Sequence, residues 1–212
     1  HSPTNEKIAD GIAEYRRTLS IEDIANDPLQ RHLCAFFEGR LTLRSLMRRC
    51  IEGAQLVEEQ EVLPMCRDAM DDALFVYSEW ESGDPTVEIR GAPGALPCVR
   101  AYAQFVLFEL FKNALRAARE RVEVTVGRDG DAFVVRVSDD GEGMDSAAVT
   151  RALAYGYTTG RPSAVRAPAA PPLCGLGFGL PASRTLTGFS GGDLRIESVP
   201  GWGTDVYVHL RG

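Results

Sequence analysis

The stretch FELFKNALRAARE, residues 108–120, decides the reading of this chain. It ends an apolar run holding Phe105, Leu107, Phe108, Leu110 and Phe111, hydrophobic nearly all round as a buried helix is. Glu109 and Asn113 stand four apart and Arg116 three further on, so the three share one face, flanked by Lys112. A solvated face with intrahelical pairs is one explanation. The apolar surroundings favour another, in which the polar stripe lines a cavity. A carboxylate and an amide oxygen one turn apart suit an activated hydroxyl and a hard divalent cation. Glu can order or deprotonate the hydroxyl, and Asn offers Mg²⁺ a neutral oxygen.

Outward from this helix the chain divides into two halves. Upstream, DPLQRHLCAFFEGRLTLRSLMRRCIEGAQLVEEQ (27–60) and EVLPMCRDAMDDALFVYSEWESG (61–83) repeat apolar residues at three- and four-residue steps. Asp27 followed by Pro28 reads as an N-cap and first helical residue, and a Gly-Asp-Pro stop ends the second segment. With a shorter helix near residues 8–19, these segments predict an N-terminal helical bundle over 1–83, joined through ESGDP (81–85) to a second domain, 84–212. Downstream the period changes to two. TVEIR, RVEVTVG, AFVVRVSD, DLRIES and TDVYVHL alternate apolar and polar residues with β-branched enrichment, and GRDGD reads as a hairpin turn. Helices over about 97–121 and 179–187 interrupt them. The fold class is therefore α+β: helices first, then an α/β sandwich of one sheet and one helical layer.

Three further motifs lie in this second half. VSDDGEGM (137–144) leaves a strand at Asp139 and places Gly141 and Gly143 at two-residue spacing. Such a sequence serves as a plain turn; alternatively, the Asp139 carboxylate accepts a hydrogen bond from an exocyclic amine while the glycines let a flat base come close. CGLGFGLPASRTL (174–186) carries Gly175, Gly177 and Gly179 into a helix, with Leu176, Phe178 and Leu180 between and after them. Amides and a helix N-terminus of this kind favour phosphate. It matches neither the Walker nor the Rossmann pattern. GWGTD (201–205) starts the last strand at Thr204, where the hydroxyl could support a base beside Asp139. Between them, YTTGRPSAVRAPAAPPL (157–173) is too rich in proline for regular structure and reads as a lid or an irregular insert opening with Thr158 and Thr159.

Composition narrows the partners. A net charge of −7 argues against a nonspecific nucleic-acid binder or an anionic-membrane binder, though not against one polyanion in a local pocket. No apolar run is long enough to span a bilayer, and no signal peptide is visible. The five cysteines (Cys34, Cys50, Cys66, Cys98 and Cys174) are scattered singly, as reduced and mostly buried thiols would be.

The order of the motifs resembles the GHKL ATPases: gyrase B, the mismatch-repair and chaperone ATPases, and the histidine kinases. That resemblance implies a Bergerat fold, a mixed sheet and helical layer clasping ATP. FELFKNALRAARE, VSDDGEGM, GFGLPASR and GWGTDVYVHL look like the mitochondrial 2-oxoacid dehydrogenase kinases, those of the pyruvate and branched-chain complexes. YGYTTGRP and GRLTLRSLM resemble the segment opening that family's lid and a helix of its bundle. The resemblance implies a serine kinase that inhibits the dehydrogenase by phosphorylating its E1 subunit, a homodimer contacting the E2 lipoyl domain, and a place in the mitochondrial matrix. Mg²⁺ and a possible K⁺ would accompany ATP.

Carried over by position, Glu109 falls on the general base and Asn113 on the Mg²⁺ ligand. Lys112 and Arg116 fall on basic positions near the phosphates, Asp139 on the adenine-reading aspartate with Gly141 and Gly143 after it, and Thr204 on the threonine beside it. Thr158 and Thr159 fall on the lid's opening, and Gly175, Leu176, Gly177, Phe178, Gly179 and Leu180 on the phosphate loop. Two positions depart from the family. Its histidine four residues before the base is Phe105 here, and the histidine after its bundle helix is Cys50. The alternatives are a two-component histidine kinase and a non-catalytic ATP-binding module. Against the first, no His-Glu or His-Asp phosphoacceptor box is present, and His32 in LQRHLCAFF sits among apolar residues as a packed histidine would.

Overall fold

The computed structural model describes residues 7, 11, 14, 15, 27–52, 57–81, 83–158 and 177–212. Most of the helix expected near 8–19 lies outside them, as do Thr159, Gly175, Leu176 and all but the first two residues of the expected lid.

Helix α1 (Pro28–Glu52) opens where Asp27 predicts, the Asp27 carboxylate accepting from the Leu29 amide at 2.9 Å. It ends earlier than its periodicity suggests, because Glu58–Glu61 forms a short strand, β1. Helix α2 (Val62–Trp80) follows directly, with Pro64 harmless in the first turn. Strands β2 (Thr86–Gly91) and β3 (Ala95–Cys98) lead into α3 (Arg100–Ala117), the helix of the opening stretch. Then come the hairpin β4 (Arg121–Asp129) and β5 (Ala132–Asp139), the short helix α4 (Ser146–Ala152), α5 (Gly179–Phe189), and the hairpin β6 (Asp193–Val199) and β7 (Gly203–Leu210).

The five expected strands form one sheet in the order β2-β4-β5-β7-β6. It is mixed: β2 runs parallel to β4, and every other pair is antiparallel. Strands β1 and β3 pair separately, Glu58 opposite Cys98 and Glu61 opposite Ala95. Alternation in β4 and β5 sends Val122, Val124, Val126, Phe133, Val135 and Val137 to one face, against Val106, Leu107, Leu110, Phe111 and Leu115 of α3. Helix α2 buries Val62, Met65, Cys66, Ala69, Met70 and Ala73 in this same core. The division expected at 83/84 thus cuts through shared packing, because α2 turns its apolar stripe to α3 and the sheet. Burial pushes the Cys66 thiol up to about 12, so it is an inert packing residue. Among the described residues Cys34, Cys66 and Cys98 are free.

One side chain fixes the turn from α3 into β4. The Asp140 carboxylate accepts from the amides of Arg119 (2.9 Å), Glu120 (3.2 Å) and Arg121 (3.2 Å). Burial by itself would raise its pKa, but the amides of Arg121, Glu120 and Arg119 outweigh this and hold it below the usual carboxylate range. A carboxyl depressed in the fold stabilises it above the unfolded value and loses that contribution as pH falls through the folded one. Asp140→Ala is therefore expected to cost about 1–2 kcal/mol at pH 7 after allowance for solvent screening. In thermal unfolding the gap between wild type and variant should close below about pH 4. A gap that persists there would mean the carboxylate charge is not what holds the turn.

Candidate functional site

The end of β5, the start of β7 and the end of β6 lie side by side at one end of the sheet, and the end of α3 comes up to them, with the Ala117 carbonyl standing against Gly141. Register places Asp139 on β5 opposite Thr204 on β7, and Thr204 opposite Ser198 on β6. Asp139 and Thr204 are buried, at 8% and 9% exposure. Asp139 Oδ1 accepts from the Gly141 amide at 3.0 Å. Burial drives the Asp139 carboxyl up to about 6, against the lowering effect of the Gly141 and Thr204 amides. Ser198 was not legible as a site residue, since a serine in an exposed hairpin strand carries no signal of its own. Its Oγ accepts from the Met144 amide at 2.7 Å, donates to the Gly203 carbonyl at 3.0 Å, and lies 2.9 Å from Thr204 Oγ1. With the Ser198 proton on Gly203, the Thr204 hydroxyl donates to Ser198, leaving its lone pairs for a partner that donates.

The glycines near Asp139 have a reason closer to home than the approach of a base. A Cβ at Gly141 would strike the Ala117 carbonyl, and one at Gly143 the Val199 carbonyl. Their first role is to let the chain pass close to itself.

On α3 the stripe separates with depth. Glu109 is 3% exposed and Lys112 7%, and the Lys112 ammonium lies 2.6 Å from both carboxylate oxygens, with the Phe108 ring 5.3 Å beneath it. Lys112, expected near the phosphates, is thus the direct partner of Glu109. Asn113 is half-buried one turn further along. Arg116 is exposed at the helix end, where its Nε lies 3.8 Å from Glu81, so it stands apart from the buried pair. Phe105, in the histidine position, is half-buried against the core.

The glycine-rich segment reaches this pair from the other side. A Cβ at Gly179, the first residue of α5, would strike Glu109 Oε2 and push the carboxylate aside, so glycine lets the helix N-terminus sit against the carboxylate as it stands. Gly177 adopts φ +73°, which a side chain would oppose. Phe178 is buried and Leu180 half-buried against the core, so both hold the segment rather than line it. Thr158 is exposed. His32, expected to be packed, is exposed on α1; its neighbour Leu33 takes the buried face.

The donor set suits a nucleotide and one hard cation. A buried carboxylate beside a hydroxyl suits a base bearing an amine, and a glycine-lined helix N-terminus suits phosphate. Among the described residues no group of three or more His, Cys, Asp or Glu could hold a metal. A cation here would take Asn113 and otherwise oxygens brought by the ligand, the way Mg²⁺ binds beside phosphates.

Comparison with known proteins agrees with this geometry. Residues 99–212 match the model of the histidine kinase-, DNA gyrase B- and HSP90-like ATPases. The chain is 28% identical, over 96% of its length and 56% of the relative's, to the mitochondrial pyruvate dehydrogenase (acetyl-transferring) kinase isozyme 4 of Ictidomys tridecemlineatus. It is 27% identical to the mitochondrial pyruvate dehydrogenase kinase of Ascaris suum, over 100% of this chain and 60% of that protein. To isozyme 1 of Rattus norvegicus it is 26% identical, over 100% and 55%. It spans a little over half the length of these relatives. The fold, the order of the motifs and the matched span together show that this chain belongs to the histidine kinase-, DNA gyrase B- and HSP90-like ATPase family.

Proposed function

We propose that this protein is an ATP-dependent serine kinase that phosphorylates the E1 subunit of a 2-oxoacid dehydrogenase complex and so inhibits it. The observation that carries the reading is the meeting of Glu109 with Gly179, which sets a buried carboxylate at the head of the helix suited to phosphate. Similarity to pyruvate dehydrogenase kinases over nearly the whole chain supports the choice of substrate class.

In this reading Asp139 accepts from the adenine amine, and Thr204, held by Ser198, faces the same base. The amides of Gly177 to Gly179 and the α5 N-terminus bind the phosphates, and Asn113 holds Mg²⁺. The ion, when bound, offsets the charge of the transferred phosphoryl group and its leaving group. Glu109 orders the substrate serine and takes its proton as the new phosphoester bond forms. Lys112 holds both oxygens of Glu109 and so fixes the direction in which the carboxylate points. Such a reaction asks the protein mainly for alignment and fixed charge, which a rigid buried pair provides. The upstream helices would belong to the kinase's regulatory bundle, the assembly would be a homodimer contacting the E2 lipoyl domain, and its place would be the mitochondrial matrix.

The test is transfer of labelled phosphate from Mg-ATP to purified pyruvate and branched-chain E1 components. Acid-stable label on one of them is the expected result, and it names the complex. Acid-labile label on the protein itself would replace this reading with a histidine kinase, for which the exposed His32 would be the first residue to substitute. ATP binding with no transfer to either component would leave a non-catalytic module.

A further inference from the structure

Helix α1 lies outside the matched ATPase span, yet it grips the chain on both sides of residues 159–176. The Gln30 amide behaves as a piece of backbone toward Tyr155. The Tyr155 N–H donates to Gln30 Oε1 at 2.8 Å, and Gln30 Nε2 donates to the Tyr155 carbonyl at 3.4 Å. Two turns further along, Phe37 stacks on the Tyr155 ring at 4.9 Å and 15°. Its edge also meets Phe178 at 6.0 Å, and Tyr155 and Phe178 touch each other at 5.7 Å. With Leu33 these rings form a small core of their own, separate from the one under the sheet.

Tyr155 is tied to α5 as well. Its hydroxyl lies 2.9 Å from Thr185 Oγ1, and the neighbouring Gly156 amide donates to the Gly177 carbonyl at 2.6 Å. The chain leaving α4 and the chain entering α5 are thus bonded to each other and jointly seated on α1. Phe178 is the residue before Gly179, and Gly179 is the residue with no room for a Cβ above Glu109. A shift of the Phe178 seat therefore moves the α5 N-terminus relative to Glu109.

We infer that Gln30 and Phe37 of α1 are positioning residues for the phosphate end of the nucleotide site, acting through Tyr155 and Phe178. The inference rests on the nucleotide reading given above. It makes α1 the route by which events in the upstream half reach phosphate binding and leave adenine binding untouched, since among the described residues α1 packs chiefly on α5, while Asp139, Thr204 and Ser198 lie at the ends of β5, β7 and β6.

The test compares Gln30→Met, which keeps the shape and removes both hydrogen bonds, with Gln30→Glu, which keeps the acceptor for the Tyr155 amide. Phe37→Leu is the second variant should Gln30→Met fold poorly. Affinities for ATP and for adenosine, which lacks phosphates, are measured with each full chain. Gln30→Met should weaken ATP about tenfold or more and leave adenosine within about twofold, with Gln30→Glu close to wild type. Equal losses for both ligands, or none for either, would overturn the inference. Amide hydrogen exchange without nucleotide reads the contact by itself: Tyr155 and Gly156 should exchange faster in Gln30→Met, and unchanged rates would also overturn it. Wild type that binds no ATP would sink the nucleotide reading and the positioning role with it, whereas faster exchange in the variant would show that the α1 contact itself is real.

Discussion

Glu109→Gln is expected to lower phosphoryl transfer by about 10²–10⁴-fold, the usual worth of a positioned general base. The same substitution should lower thermal stability, and the two effects have different causes. Glu109 and Lys112 are both buried, and the ammonium touches both carboxylate oxygens. Glutamine keeps the shape but offers one oxygen and one amide NH2, so one contact becomes donor against donor and the buried Lys112 charge loses its carboxylate. Breaking a buried pair from one side costs about 3–5 kcal/mol. In a chain of this size that lowers the melting temperature by on the order of 10 °C. The double variant Glu109→Gln with Lys112→Met removes both charges and should recover most of the stability while remaining inactive. Inactivity in the double variant then reports lost chemistry rather than lost fold. A single variant that transfers phosphate within about tenfold of wild type would remove Glu109 from the role of base.

The second large effect concerns Asp139, where binding and stability should move in opposite directions. Its carboxyl is raised to about 6 by burial, so the fold without nucleotide favours the neutral acid. A carboxyl raised in the fold stabilises it below the unfolded pKa, near 3.8, and loses that contribution as pH climbs through the folded one, near 6. Above about pH 7 the ionised carboxylate therefore burdens the fold by on the order of 3 kcal/mol. Asp139→Asn carries no charge and should unfold at a higher temperature than wild type at pH 8, with the difference gone at pH 4. Nucleotide binding should fall by about 100-fold, the loss of a charge-assisted hydrogen bond together with an unmet donor. With its oxygen on the Gly141 amide, the asparagine turns its NH2 toward the adenine amine, donor against donor. Calorimetry of ATP binding at pH 8 beside thermal unfolding at both pH values checks the pair. A variant that binds ATP as wild type does would show that Asp139 is not the adenine reader.

The placement of most candidate site residues was legible because they sit on regular elements with strong periods. The α3 stripe at 109, 112, 113 and 116 follows from helical spacing, and Asp139 and Thr204 mark an end and a start of alternating strands. The short pieces were not legible. Strand β1 reads EEQE, which has no strand propensity; it exists because β3 offers it a partner and Arg100 Nη1 donates to Gln60 Oε1 at 2.8 Å. Helix α4 did carry a local sign, Asp145 capping the Ala148 amide at 2.6 Å, but seven residues give too little periodicity to register.

The sequence by itself determined the strands and helices of the α/β sandwich and the order of its motifs, because hydrophobic period and turn chemistry act over a few residues and are written locally; the ATPase reading came from the resemblance those motifs carry. Only the tertiary structure decided which polar residues meet. Lys112 turns inward to Glu109 with the Phe108 ring beneath it, and Arg116, on the same helix, turns to Glu81 at the surface. It also decided that α2 joins the core of the sheet and that Gln30 bonds Tyr155 across 125 residues of chain. Contacts of that kind depend on how whole elements pack, and no local window of sequence contains both partners.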